Sequence, residues 1–174
     1  MKGTIANSVA EMVTEKFGKD KWEKILSLAD LPKDTVFFPV QDFDDGVVMK
    51  VFDSLCHMFD IPLAKAADIF GEYWVTVYAP KYYHLVYEFA PTAREFLLGL
   101  DDMHKQMTKS LPGAHPPHFE FEWQGEKALI VKYYSSRGLI DFVVGLAKGV
   151  GKFYQEPLKV TKIANDRVEV IFLE

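Results

Sequence analysis

A chain of 174 residues with 49% hydrophobic and 26% charged side chains can build one core and bury about 70% of the surface its unfolded form exposes. A net charge of -5 offers no basic face for nucleic acid, and a single cysteine, Cys56, excludes a disulfide framework or a thiolate metal cluster. Rings are in surplus: 14 Phe and 8 Tyr suit a large flat ligand as well as a plain core.

The opening MKGTIANSVAEM lacks the apolar run of a signal peptide, and no stretch reaches the roughly 20 apolar residues of a membrane span, so a cytoplasmic protein is expected. Ile5, Val9, Met12, Val13 and Phe17 keep helical spacing as far as Gly18, a C-terminal cap, and Trp22, Ile25 and Leu26 continue in a second helix that stops before Pro32. Residues 33–43 read as a loop around VFFPV. Val47, Val48, Val51, Phe52, Leu55 and Phe59 predict a third helix, and Leu63, Ala66, Ala67, Phe70, Trp74 and Tyr78 a fourth, which Ala79-Pro80 is expected to close. An aromatic segment, KYYHLVYEF, leads to Pro91, and the longest helix runs from there to about Ser110.

Beyond Pro116-Pro117 the period changes from helical to alternating. Phe119, Phe121 and Trp123 alternate with charge, QGEK is a turn, and ALIVKYY is a second strand, which together predict a hairpin. Helical spacing returns over residues 138–154, and LKVTKI and VEVIFL, joined by ANDR, form a second hairpin. The expected fold is α+β: a helical amino-terminal part, then a small antiparallel sheet holding one long inserted helix, in a single domain over residues 1–174.

Two groups of residues could carry chemistry. Leu97, Leu100, His104, Met107 and Leu111 share one stripe of the long helix, so His104 lies on its apolar face. Such a residue is either a core histidine satisfied by backbone or a neutral axial ligand of the kind that holds haem iron. Tyr133, Ser135 and Arg137, two apart in an extended strand, would place three polar tips on one face over roughly 13 Å. They could bind the two carboxylates of a haem, or be a strand end that merely surfaces. Tyr134 and Ser136 should point the other way. His115-x-x-His118 has metal-like spacing, but the two intervening prolines favour a surface loop. Gly145 and Gly149, four apart, suggest close helix packing or a flat ring nearby.

Taken together, Tyr-x-Ser-x-Arg at 133, 135 and 137, His104 within DDMHKQMTK, MKGTI at the start and GAHPP between resemble the H-NOX (haem nitric oxide/oxygen binding) family, which includes the haem domain of soluble guanylate cyclase. The resemblance covers essentially the whole chain. It implies a haem b buried between the helical part and the sheet, with His104 as the proximal iron ligand and Tyr133, Ser135 and Arg137 on the propionates. By the same resemblance Ile5 and Pro117 press on the porphyrin, Phe142 and Leu146 lie on the distal helix, and Trp74 and Tyr78 match distal-side positions, where they either pack or aim an N–H or O–H at the ligand.

Family members that hold oxygen stably use a distal tyrosine where this chain has Phe142. The resemblance therefore implies a nitric oxide sensor, open also to carbon monoxide, that discriminates against oxygen. It also implies that NO weakens the bond to His104 and relaxes the bent haem. No enzyme activity is expected. The signal should pass to a separate protein, a histidine kinase or a cyclic-di-nucleotide enzyme. The alternative is a module of the same fold holding a lipid or tetrapyrrole fragment without iron. A peroxidase-like enzyme is disfavoured, because Phe142, Leu146 and Val9 supply no distal acid or base.

Overall fold

Gly18, at φ 89°, separates two helices that otherwise follow without a loop, α1 (Thr4–Phe17) and α2 (Lys19–Leu28). That conformation is open to glycine and costly for other residues, which is why the first helical pattern breaks there. The third helix, α3 (Asp45–Phe59), starts where the Asp44 carboxylate accepts the Gly46 N–H at 2.8 Å. In the computed structural model, which describes residues 1–173 apart from the side chain of Ser110, the chain forms two compact units, Met1–Ala66 and Ala67–Glu174, with the boundary inside α4 (Leu63–Tyr73).

In the first unit the buried faces of α1, α2 and α3 supply Val9, Met12, Val13, Ile25, Leu26, Val48, Val51 and Phe52 to the core. The loop before α3 folds back on the start of the chain. Thr4 N–H donates to the Pro39 carbonyl at 3.1 Å, and the terminal amine of Met1 meets Asp45 at 2.6 Å.

The second unit departs from expectation at Pro80. The helix does not end there: α4 passes into one π-helical turn, Trp74–Tyr78, and then into α5 (Ala79–Tyr82). Proline normally breaks a helix because it lacks an N–H and its ring strikes the carbonyl four residues back. The wider π turn relieves that crowding, and Ala79 N–H donates to the Trp74 carbonyl. A short α6 (His84–Glu88) follows, then α7 (Ala93–Ser110). Thr92 caps the start of α7, its hydroxyl accepting the Glu95 N–H at 3.2 Å and donating to the Glu95 carboxylate at 2.8 Å. Such a cap stabilises a helix by about 1 kcal/mol.

The predicted hairpins are β1 (His118–Gln124) with β2 (Ala128–Tyr134), and β3 (Leu158–Ala164) with β4 (Arg167–Phe172). They join edge to edge through β2 and β4 into an antiparallel sheet of order β1-β2-β4-β3. The inserted helix α8 (Ile140–Tyr154) packs on this sheet through Ile140, Ala147 and Val150, which meet Leu129, Val131, Val168 and Val170 in one core. This is the α+β architecture expected from the sequence.

The glycines of α8 serve close packing. A Cβ on Gly145 would lie 2.6 Å from the Ala67 carbonyl carbon, and one on Gly149 3.0 Å from that of Gly71. Helices α4 and α8 therefore meet backbone to backbone. Lys148 bonds Asp68 at 2.8 Å and Lys152 bonds Glu72 along this seam.

Candidate functional site

His104 lies in the middle of α7, partly buried, with its ring 5.6 Å from that of Phe119 on β1. Its Nδ1 is 3.2 Å from the Pro117 carbonyl. A carbonyl only accepts, so Nδ1 carries the proton and Nε2 keeps its lone pair. Burial pushes the imidazole below its ordinary pKa, against the opposing pull of that hydrogen bond, which favours the neutral form that ligates metals.

One turn before His104, Asp101 grips the same segment of chain. Its carboxylate accepts the Phe119 N–H at 2.8 Å and the His118 Nδ1–H at 2.6 Å, and Lys105 closes on it at 2.7 Å. Burial alone would raise this carboxyl. The bonds from Lys105, Phe119 and His118 outweigh that effect and hold its pKa at about 2. Asp101 and His104 thus clasp residues 117–119 at two points. From the sequence Asp101 is passed over and His118 is assigned to a surface loop, whereas His118 begins β1 and bonds Asp101. The available signal was Asp101 itself, four residues after Leu97 on the apolar stripe of α7, where an unpaired carboxylate would be costly.

The Tyr-x-Ser-x-Arg residues do not all lie on a strand. β2 ends at Tyr134, and Ser135 and Arg137 belong to the turn that leads to α8. The Ser135 hydroxyl accepts the Arg137 N–H at 3.2 Å, a local bond that bends the chain in place of a ladder bond, and Gly138 follows at φ 63°. The expected division of faces still holds, with Tyr133 buried, Ser135 and Arg137 partly buried, and Tyr134 and Ser136 exposed. The Tyr133 phenol oxygen accepts the Leu139 N–H at 3.3 Å, a bond that leaves its own proton for an acceptor. The Arg137 guanidinium donates to the His115 carbonyl at 2.6 Å. Residues 115–117 therefore touch both Arg137 and His104, and the Phe119 ring neighbours those of both His104 and Tyr133, the latter at 5.9 Å.

A second group of residues is aromatic. Phe142, on α8, meets the Phe70 ring edge-on at 5.7 Å. Phe70 contacts Trp74, and Trp74 stacks on the buried Tyr78 at 5.1 Å. Leu146, one turn after Phe142, is partly buried against the same core. Ile5 is in α1 of the first unit, also partly buried. A neutral imidazole with an open Nε2, a guanidinium, a phenol and a hydroxyl near one turn, and a set of apolar rings make a donor set that fits an iron porphyrin.

A family model described as Haem-NO-binding matches residues 2–162. The chain belongs to this family. As an H-NOX protein it is a haem-binding gas-sensor domain related to soluble guanylate cyclase. Soluble guanylate cyclase gcy-35 of Caenorhabditis elegans is 25% identical over 173 residues, covering 97% of this chain and 25% of that protein. Soluble guanylate cyclase gcy-31 of the same organism is 26% identical over 161 residues, covering 87% and 22%. The H-NOX chain thus spans about a quarter of the length of these curated relatives.

Solved structures agree in fold. An oxygen-binding H-NOX domain related to soluble guanylate cyclases, crystallised as its oxygen complex, superposes with a TM-score of 0.83 at 24% identity, covering 100% of this chain and 96% of that one. An H-NOX structure addressing the mechanism of activation gives a TM-score of 0.88 at 22% identity, covering 100% and 97%. Among the described residues, no helix is long and apolar enough to cross a membrane.

Proposed function

We propose that this H-NOX chain is a single sensor domain for nitric oxide that holds haem b through His104 and discriminates against oxygen. The observation that carries the reading is the state of His104: neutral, with Nδ1 committed to the Pro117 carbonyl and Nε2 left to bind a metal. Bound haem would supply the ferrous iron that takes up the gas, and His104 would hold that iron through Nε2, so the gas would act on the chain through this residue.

The residues of the chain divide the remaining work. Tyr133, Ser135 and Arg137 would take the propionates, and Pro117 would press on the ring, a role shared with Ile5 on the strength of the resemblance. Phe142, Leu146, Trp74 and Tyr78 would line the distal side. Phe142 presents no hydroxyl, and in this reading Trp74 and Tyr78 pack against each other, their rings stacked at 5.1 Å, rather than donate to the ligand. Bound oxygen is polarised and gains about 1 kcal/mol or more from a donor in a dry pocket, whereas NO holds ferrous iron tightly without one.

Were the imidazole released from the metal, the bonds from Asp101 and His104 to residues 117–119 would remain, so the middle of α7 and the start of β1 would shift together. Such a shift regulates only if a partner binds the two arrangements with different affinity. That partner is a separate signalling protein, a histidine kinase or a cyclic-di-nucleotide enzyme, and the chain itself contributes sensing without catalysis.

The test is the absorption spectrum of the reduced protein with and without NO, in air and under argon. A Soret band that moves with NO and is unchanged by air is expected. A stable oxygen complex would overturn the selectivity. His104→Gly should bind haem weakly and regain it with free imidazole, and unchanged iron coordination in that variant would refute the ligand assignment.

A further inference from the structure

Residues four apart share a helix face, and positions 70, 74, 78 and 82 each carry a ring: Phe70, Trp74, Tyr78 and Tyr82. The rings touch in order. Centroids are 5.7 Å apart from Phe70 to Trp74, 5.1 Å from Trp74 to Tyr78 and 4.6 Å from Tyr78 to Tyr82. Four residues of α-helix overshoot a full turn by about 40°, so a row at this spacing should drift around the helix. The π turn at Trp74–Tyr78 rotates less per residue and takes back part of that drift, which keeps the rings in contact.

The row also has a chemical gradient that packing alone does not require. It begins in the core, where Phe70 is 2% exposed and lies against Phe142, and it ends in solvent at Tyr82, 46% exposed. The three positions after Phe70 hold Trp, Tyr and Tyr, whose rings lose an electron far more readily than Phe. An oxidised tyrosine must also release its phenol proton, and at Tyr82 water can take it. The Lys81 ammonium lies 4.9 Å from the Tyr82 ring, where it repels a cation radical and favours that proton loss.

We propose that Trp74, Tyr78 and Tyr82 form a path for single electrons, drawn from a reductant at the surface toward the haem when the cofactor meets peroxide. This rests on the haem reading above, since the bound cofactor is where peroxide would be reduced, slowly and as a damaging side reaction rather than as turnover, because the apolar distal side supplies no acid or base. The balance is H2O2 + 2 TyrOH → 2 H2O + 2 TyrO•: the O–O bond breaks, and two electrons and two protons come from the phenol of Tyr82 in two successive passages. A small one-electron reductant of the ascorbate class, giving up a hydrogen atom each time, restores the phenol. The path would spare the buried rings from oxidation.

Tyr134 is an internal control. It is also 46% exposed, and its hydroxyl donates to Glu120 at 2.9 Å, an acceptor for the proton that its oxidation would release, but it lies on β2 outside the row. The experiment treats the ferric, haem-loaded full chain with a single equivalent of hydrogen peroxide and a nitroso spin trap, and maps adducts by peptide mass spectrometry. Labelling of Tyr82 several-fold above Tyr134 is expected, falling to the level of Tyr134 in Tyr78→Phe as Trp74 becomes labelled. Equal labelling of the two tyrosines in the unaltered protein, or Tyr82 labelling unaffected by Tyr78→Phe, overturns the path. If Tyr78→Phe loses haem, Tyr82→Phe at the exposed end decides: the label should move inward to Tyr78 or Trp74, and its loss or transfer to Tyr134 refutes the proposal. A missing Soret band at the outset would overturn the haem reading and this inference with it, whereas a normal band with equal labelling overturns the path alone.

Discussion

Replacing Asp101 with Ala tests the clasp between α7 and β1. The Lys105 partner is mostly solvated, so its ion pair contributes at most about 1 kcal/mol. The larger loss is at Phe119, whose buried N–H would be left without an acceptor, at about 1–3 kcal/mol. With the His118 bond also lost, the change should destabilise the protein by about 2–4 kcal/mol, or roughly 5–15 °C in Tm for a chain of this size. Asp101→Asn keeps an acceptor for the N–H and should cost less.

The pH dependence separates charge from shape. The carboxyl has a folded pKa of about 2, below its ordinary value of 3.8, so the folded state binds fewer protons there than the unfolded state. Its contribution, about 2 kcal/mol, is complete above the ordinary value and is lost as pH falls toward 2. Urea unfolding followed by circular dichroism should show a gap between the unaltered protein and Asp101→Asn that is constant from pH 7 to 5 and closes between pH 4 and 2. A gap that does not narrow, or a cost for Asp101→Ala below about 1 kcal/mol, would refute the reasoning.

Gly145→Ala and Gly99→Ala should have opposite signs. The first drives a methyl against the Ala67 backbone, which cannot rotate away, at a cost of about 1–3 kcal/mol or more; the second adds a methyl to α7 in open space and should stabilise by about 0.5–1 kcal/mol. Thermal melts of the two variants side by side check this. Phe142→Tyr should slow oxygen release from the ferrous protein by about five- to tenfold, for a hydrogen bond worth about 1 kcal/mol, measured by stopped-flow absorption. An unchanged spectrum in air would show that this position does not control oxygen.

The elements of the fold were legible because each is encoded locally. The spacing of Val48, Val51, Phe52 and Leu55 is enough to define one helix, and Phe119, Phe121 and Trp123 one strand, since period 3.6 or 2 is written within about ten residues. His104 and the Tyr-x-Ser-x-Arg residues were legible as chemistry for the same reason: their type and spacing can be read without knowing what lies against them. Pro80 misled because its usual effect assumes an α-helix, and the π turn before it removes the clash. Ser135 and Arg137 looked like strand residues because alternation continues through them, while a side-chain bond and Gly138 had already turned the backbone.

What the sequence determined by itself was most of the elements and their order, and which residues are candidates for the site. Only the tertiary structure decided which elements meet. The pairing of Leu129 with Val170 joins the two hairpins, Gly145 lies on Ala67 across almost eighty positions, and His118 returns to Asp101. None of these contacts leaves a periodic trace in either partner, because each partner's own neighbourhood is compatible with many others. The choice is made by the free energy of the whole core, in which a buried carboxylate, two facing glycines and the open edges of two hairpins are each stable only once the distant partner arrives.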